Sequence, residues 1–299
     1  MGVRYDYENQ TVLTIRNGVP PAIIRYENQF SNISGLFTIK SQIAASQTMG
    51  WSIGYAMRNP AINELYSNGL HQGVSGIEEG DINLKIEKAL KNTLEYKWVP
   101  NSNFAFNALA YHQYFSDYIF LNPQEEIRLT IRGAFPVFKY EQTDAQIYGL
   151  DLSTQFTVSH SLLGVLKYSF LKGTDTSNDI PLVFMPPNSF YGSLTYRSTK
   201  TVKFTNNFKM EDSEIEVSNR FVFEQKNILE AQDFVAPPSS YYLSGLKLST
   251  NFIFPKYKIR CFVKADNLFN VAYRDYLNRQ RYFADDIGRS ITVGINAKF

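Results

Sequence analysis

Two stretches of this 299-residue chain gather the residue types that do chemistry. The first, residues 59–82, contains "LHQGVSGIEEGD", with His71, Glu78, Glu79 and Asp81, and Tyr66 just upstream. Imidazole suits iron or zinc, and carboxylates are hard ligands for cations. The plainer reading is a solvated histidine in an acidic surface loop. The second stretch, residues 271–288, reads "VAYRDYLNRQRYFADDIG" and carries Arg274, Arg279, Arg281, Tyr276 and Tyr282 among three aspartates. Guanidinium and phenol groups together grip an anionic ligand through charge-assisted hydrogen bonds and stacking. The same residues can instead pair Arg with Asp internally and stiffen the loop. Both readings stand at this point.

Little else in the sequence suggests catalysis. His112 falls in a strand-like stretch and His160 in a short turn, where each reads as structural. "GLHQGVSG" does not fit a phosphate-cradling loop, so its glycines read as loop flexibility. No Ser-His-Asp spacing stands out, and nothing sets two carboxylates at a shared substrate. We therefore expect a protein that is not an enzyme and has no resident cofactor. The single Cys261 excludes an internal disulfide framework. In "KIRCFVK" it is in phase with Ile259 and Val263, as an apolar thiol would be. A net charge of +2 without a basic run gives nucleic acid no handle.

The segments that must position these residues alternate. "SITVGINAKF" sets Ile291, Val293, Ile295 and Phe299 on one face and Thr292, Asn296 and Lys298 on the other. "EIEVSNRFVFEQ" aligns Ile215, Val217, Phe221 and Phe223 against Glu214, Glu216, Arg220 and Glu224. About twelve such segments recur, each roughly 10–20 residues long, whereas strands of soluble domains average about 5–6. Connections alternate in length too. Residues 59–82, 121–140, 173–187, 228–237 and 271–288 read as long loops. Between them, 44–48, 99–102, 159–162, 210–213 and 254–257 read as tight turns. Long loops on one rim and short turns on the other are the plan of a transmembrane antiparallel β-barrel. The 15% aromatic content, with 20 Tyr and 23 Phe, suits strands that cross membrane interfaces. The apolar face would then meet lipid and the polar face a lumen. No apolar signal segment follows Met1, so we expect either a cytosolic chain or a true N-terminus that is absent.

Several segments resemble TonB-dependent outer-membrane receptors. "VKADNLFNVAYRDYLNR" (263–279), with Asn267, Leu268 and Phe269, is similar to the family's penultimate strand and the loop after it. Arg58-Asn59-Pro60 and the run from Asp81 to Glu87 resemble two family boxes, with Asn for Ala and Ile for Pro. "MPPNSFYGSLTYRS" (185–198) resembles a Pro-rich loop leading into a strand. The final Phe299 fits the aromatic-terminated strand that the barrel-assembly machinery is thought to read. The resemblance implies a 22-stranded barrel filled by a plug. It makes residues 1–299 the C-terminal barrel portion of about twelve strands, without the plug and early strands. It further implies the outer membrane of a Gram-negative bacterium, contact with its lipid, and energy from TonB through the missing plug. The implied cargo is an iron chelate such as a ferric siderophore, haem or another metal complex. In haem receptors of this family a histidine between the two boxes is an axial ligand, and His71 sits in that interval. Two rivals remain: a passive porin-like barrel of about twelve strands, and a soluble all-β binding domain.

Overall fold

The computed structural model describes residues 1–16, 22–230 and 232–298. Phe299 lies outside the described residues, and so does its proposed role. In chain order the strands begin β1 (Gly2–Arg16), β2 (Ala22–Ala44), β3 (Gln47–Arg58), β4 (Asn68–His71) and β5 (Gly76–Glu79). They continue β6 (Glu87–Asn101), β7 (Phe104–Thr130), β8 (Gly133–Ser159), β9 (Leu162–Asp175), β10 (Ile180–Pro181) and β11 (Ser189–Ser198). The last are β12 (Val202–Thr205), β13 (Phe208–Val222), β14 (Tyr241–Ile253), β15 (Lys258–Asp266) and β16 (Ser290–Lys298). One five-residue helix, α1 (Ile62–Tyr66), lies between β3 and β4.

Twelve strands follow one another across a single sheet in the order β1-β2-β3-β6-β7-β8-β9-β11-β13-β14-β15-β16. Each pairs antiparallel with the next, as in β13 with β14 and β15 with β16. Among the described residues β1 and β16 do not pair, so the sheet stays open. A self-contained twelve-strand porin needs that closure.

Register turns the alternation into two chemically distinct faces. Tyr196, Ile215, Leu248, Val263 and Val293 are successive cross-strand partners over five strands, and all five are exposed. One residue away runs the row Thr195, Glu216, Lys247, Lys264 and Thr292. The two rows point to opposite sides because successive side chains of a strand alternate. Neither a second sheet nor a helix covers the apolar row among the described residues. Cys261 belongs to this apolar face, opposite Ile295. Glu216, Lys247 and Lys264 of the polar row line a concavity of about 1200 Å³ that also takes in Arg197, Glu214, Arg260 and Asp266.

Two expectations about connections fail. Residues 121–140 are not a loop: β7 and β8 run 27 residues each and meet at a two-residue turn, 131–132. β6 leaves β7 at Ser116 and β9 leaves β8 at Ala145, so the pair continues beyond the wall as a ribbon that only the short β5 joins among the described residues. Bulky residues in both phases hid the strand from a period-2 test. Residues 210–213 are not a turn either. They lie inside β13, where the register shifts between Glu211 and Glu214 and Asp212 takes φ +50°. Aspartate tolerates that left-handed backbone in a bulge as it does in a turn, so the composition looks alike. The hairpin turns instead at 206–207, between β12 and β13.

The packed core sits at the long-connection end. Leu65, Leu84 and Ile119 form one buried cluster. Phe115, Ala145, Ile147, Leu182 and Met185 form another. Connections 59–86, 176–188, 223–240 and 267–289 supply the rest of this cap.

Candidate functional site: a cap of interlocked loops

The first loop is closed at its base by the residues of its two sequence boxes. Arg58 ends β3 and faces Glu87, which opens β6. Its Nη2 donates to Glu87 at 3.1 Å, and its Nη1 donates to both Glu64 oxygens at 3.0 and 2.9 Å. Glu87 is buried and also accepts the Ile119 backbone N–H at 2.9 Å. Glu64 caps α1 by accepting the Ala61 backbone N–H at 2.7 Å, and Pro60 beside it is fully buried. Tyr66 ends α1, where its hydroxyl accepts from Asn28 at 2.7 Å and its ring lies 4.8 Å from that of Tyr26.

Further out, β4 and β5 form a hairpin, and β5 lies parallel to β8 on its ribbon. The hairpin sets His71 opposite Gly76 and brings Glu78 beneath it. His71 Nδ1 lies 3.0 Å from Glu78 Oε1, and the imidazole is more than half exposed. An ionised carboxylate only accepts, so Nδ1 carries the hydrogen and neutral His71 keeps its lone pair on Nε2. The same Oε1 accepts Arg279 Nη2 at 2.7 Å. Burial pushes the Glu78 carboxyl up, but hydrogen bonds from His71 and Arg279, with the charge of Arg279, outweigh it and hold its pKa below the ordinary value. Glu79 is taken by Arg128 at 2.7 Å, and Asp81 by Asn83. Among the described residues no three His, Cys, Asp or Glu converge as a metal cluster.

The second loop turns inward. Arg281 is fully buried, pairs with Asp233 of the 223–240 connection, and lies 4.9 and 4.7 Å from the ring centres of Tyr276 and Tyr282. Tyr282 also donates its hydroxyl to Asp233, at 2.6 Å. Burial and the neighbouring carboxylate push the Tyr282 phenol up, and burial does the same to Tyr276. Arg274 donates to Asp285 and to the Arg281 carbonyl, both at 2.7 Å. Of the three arginines, two are thus held by carboxylates of the β13–β14 and β15–β16 connections, and the third reaches the first loop. At the entry to this loop, Asn267 takes φ +48° and grips Val271 through two 2.8 Å hydrogen bonds. Leu268 donates its backbone N–H to Ser244, while Phe269 is 70% exposed.

The residue that joins these loops was not singled out in the sequence. Phe138 of β8 is fully buried, 5.3 Å from the Phe234 ring, 6.4 Å from Tyr282, and 5.1 Å below the Arg279 guanidinium. Asp233 was likewise overlooked. A lone aspartate in "AQDFVAPP" carries no local signal, and its partner is 48 residues away.

An open antiparallel wall, polar on one face and apolar on the other, carrying a cap of loops on one rim, is the architecture of part of a membrane β-barrel. Residues 1–268 match the family model for TonB dependent receptor-like β-barrels, and the chain belongs to that family. The fold is shared with the copper transporter OprC at 18% identity and TM-score 0.74, covering 98% of this chain and 44% of that one. The FrpB iron transporter of Neisseria meningitidis (F3-3 variant) is similar at 17% identity and TM-score 0.59, covering 98% and 42%. The siderophore receptor PirA of Acinetobacter baumannii follows at 14% identity and TM-score 0.60, covering 98% and 45%. The chain therefore spans less than half the length of these solved structures. No curated protein matches it.

Proposed function

We propose that residues 1–299 form the C-terminal part of the barrel wall of an outer-membrane import receptor in a Gram-negative bacterium. Its cargo is a metal complex, in the first instance a ferric siderophore or haem. A plug and earlier strands complete the receptor, TonB supplies energy through that plug, and the barrel-assembly machinery inserts it. The wall itself does no bond chemistry: it gives a rigid support, a charged lumen and loop contacts.

The observation that carries this reading is the pair of adjacent rows, one apolar and exposed over five strands, the other charged and facing a concavity. Lipid covers the first row and the aqueous lumen the second. His71 is the side chain best placed to meet cargo, because its imidazole is more than half exposed while one ring nitrogen is held by Glu78. Arg279 and the Tyr66, Tyr276 and Tyr282 phenols shape the same cap, with Arg274 and Arg281 fixing the loop that carries them. The structural neighbours transport copper, iron and a siderophore, which supports metal cargo without naming it.

The test is a titration of the complete receptor, plug included, with hemin, a ferric catecholate and copper(II), beside uptake assays in cells with and without TonB. Saturable binding of one cargo and TonB-dependent uptake are expected. Binding of none of them, or uptake that is indifferent to TonB, overturns the proposal.

A further inference from the structure

We propose that Glu78 is a positioning residue that aims His71 at a cargo metal and ties that metal to the second loop through Arg279. The inference rests on the reading of His71 as a cargo ligand.

Three segments meet at one carboxylate oxygen. Glu78 is buried, with 5% of its surface exposed, and its Oε1 receives His71 Nδ1 at 3.0 Å and Arg279 Nη2 at 2.7 Å. The two donors come from loops 59–86 and 267–289, with Glu78 and Arg279 201 residues apart. Arg279 is held from below by the Phe138 ring of the β8 ribbon, and its Nη1 is buried without a partner among the described residues. Among the described residues Glu78 is the one acceptor that guanidinium meets. Beside it, Gln280 Nε2 donates to the Gly73 carbonyl at 2.7 Å, a second tie between the same loops.

This arrangement does two things to the imidazole. The carboxylate accepts a hydrogen bond from Nδ1, which fixes the tautomer and leaves the Nε2 lone pair free for a metal. It also holds the ring plane, as carboxylate partners do for metal-bound histidines elsewhere. Arg279 keeps the carboxylate from swinging away. A metal on Nε2 is then restrained by both loops, and cargo capture in the first loop is felt in the second.

The probe is hemin, titrated into the complete receptor in detergent and followed at the Soret band and by iron spin state. Four variants are compared with wild type: His71→Ala, Glu78→Gln, Glu78→Asp and Arg279→Met. His71→Ala is expected to lose the imidazole-bound spectrum. Glu78→Gln and Glu78→Asp are expected to keep it while binding about 10–100-fold more weakly, with the bound iron moved toward high spin. Arg279→Met should give the same spin shift with a smaller loss. A loop that is merely loosened lowers affinity without changing the spin state of the hemin that does bind. If Glu78→Gln fails to fold, Glu78→Asp decides alone, since its shorter arm cannot serve both donors in place. Wild-type affinity and spectrum in the Glu78 variants, with His71→Ala defective, overturn the positioning role alone. Hemin binding that is absent in wild type or untouched in His71→Ala overturns the ligand reading beneath it, and this proposal with it.

Discussion

The wall and the cap are built from the same strands but obey different rules. In the wall, Val263 is exposed and the next residue, Lys264, faces the concavity; among the described residues no second layer packs against the apolar side. In the cap, Val137 and Phe138 are also neighbours on one strand and point to opposite sides, yet both are fully buried. Alternation is visible where one face meets a uniform solvent, and disappears where protein covers both. Wall stability comes from backbone ladders that pair every inner strand on both sides, with only the edges of β1 and β16 open, whereas the cap has a small soluble-type core pinned by ion pairs. Substitutions should therefore separate the regions.

The largest separation is expected at Arg281. Arg281→Met leaves Asp233 buried without its cation, and breaking one side of such a pair costs about 3–5 kcal/mol. The cost should fall on the cap alone: trypsin should cut within 267–289 faster, while far-ultraviolet circular dichroism of the barrel is unchanged. Adding Asp233→Leu should recover part of the loss, since an apolar pair can replace a buried ion pair. Loss of sheet signal in Arg281→Met would show that cap and wall unfold together.

Next in size is a contrast within one strand. Leu194 lies on the apolar face of β11 and Thr195 on the polar face. Leu194→Arg should destabilise the receptor by about 2–4 kcal/mol in bilayers, the cost of arginine on the lipid face near midplane. Thr195→Arg, one residue on, should cost far less because it enters the lumen. Urea-unfolding midpoints in lipid vesicles compare the two, and equal effects would remove the distinction between the faces.

The sequence exposed these regions unequally. The wall was legible because β11, β13, β14, β15 and β16 repeat one pattern that a single strand reveals. The ribbon of β7 and β8 was not, because its residues answer to neighbours in other loops. "NFAFNALAYHQYF" already carries bulk in both phases, and 121–140 read as a loop. For the site, residue types located both loops, and the choice between cargo grip and self-pairing stayed open. Only three-dimensional contact shows that Arg274 meets Asp285 in its own loop, Arg281 meets Asp233 of the 223–240 connection, and Arg279 crosses to Glu78. No local pattern marks a partner 201 residues distant.

A smaller effect is expected where wall becomes cap. Asn267→Ala should cost about 1–3 kcal/mol, from a left-handed backbone held by alanine and two hydrogen bonds lost to Val271. Asn267→Gly should cost less, because glycine relieves the backbone term but not the hydrogen bonds. Hydrogen exchange at Val271 should report both, with the wall ladder between β15 and β16 unmoved. Equal effects of Ala and Gly would mean that the backbone conformation contributes nothing.

The smallest effect is alkaline and confined to the cap. The Tyr282 phenol is pushed up by burial and by Asp233, so it stays protonated in the folded cap after an unfolded tyrosine has ionised, near pH 10. A group whose folded pKa is raised gives its full stabilisation below the unfolded pKa and loses it as pH climbs toward the folded one. The cap should hold its trypsin resistance up to about pH 10 and lose it progressively above. Tyr282→Phe should start weaker, having lost its hydrogen bond, and show a flatter decline because one ionisation is gone. Tyr276 and Tyr273, also raised by burial, contribute to the remaining slope. The wall ladder should not respond, so a parallel alkaline loss of sheet signal would erase the boundary between the two regions.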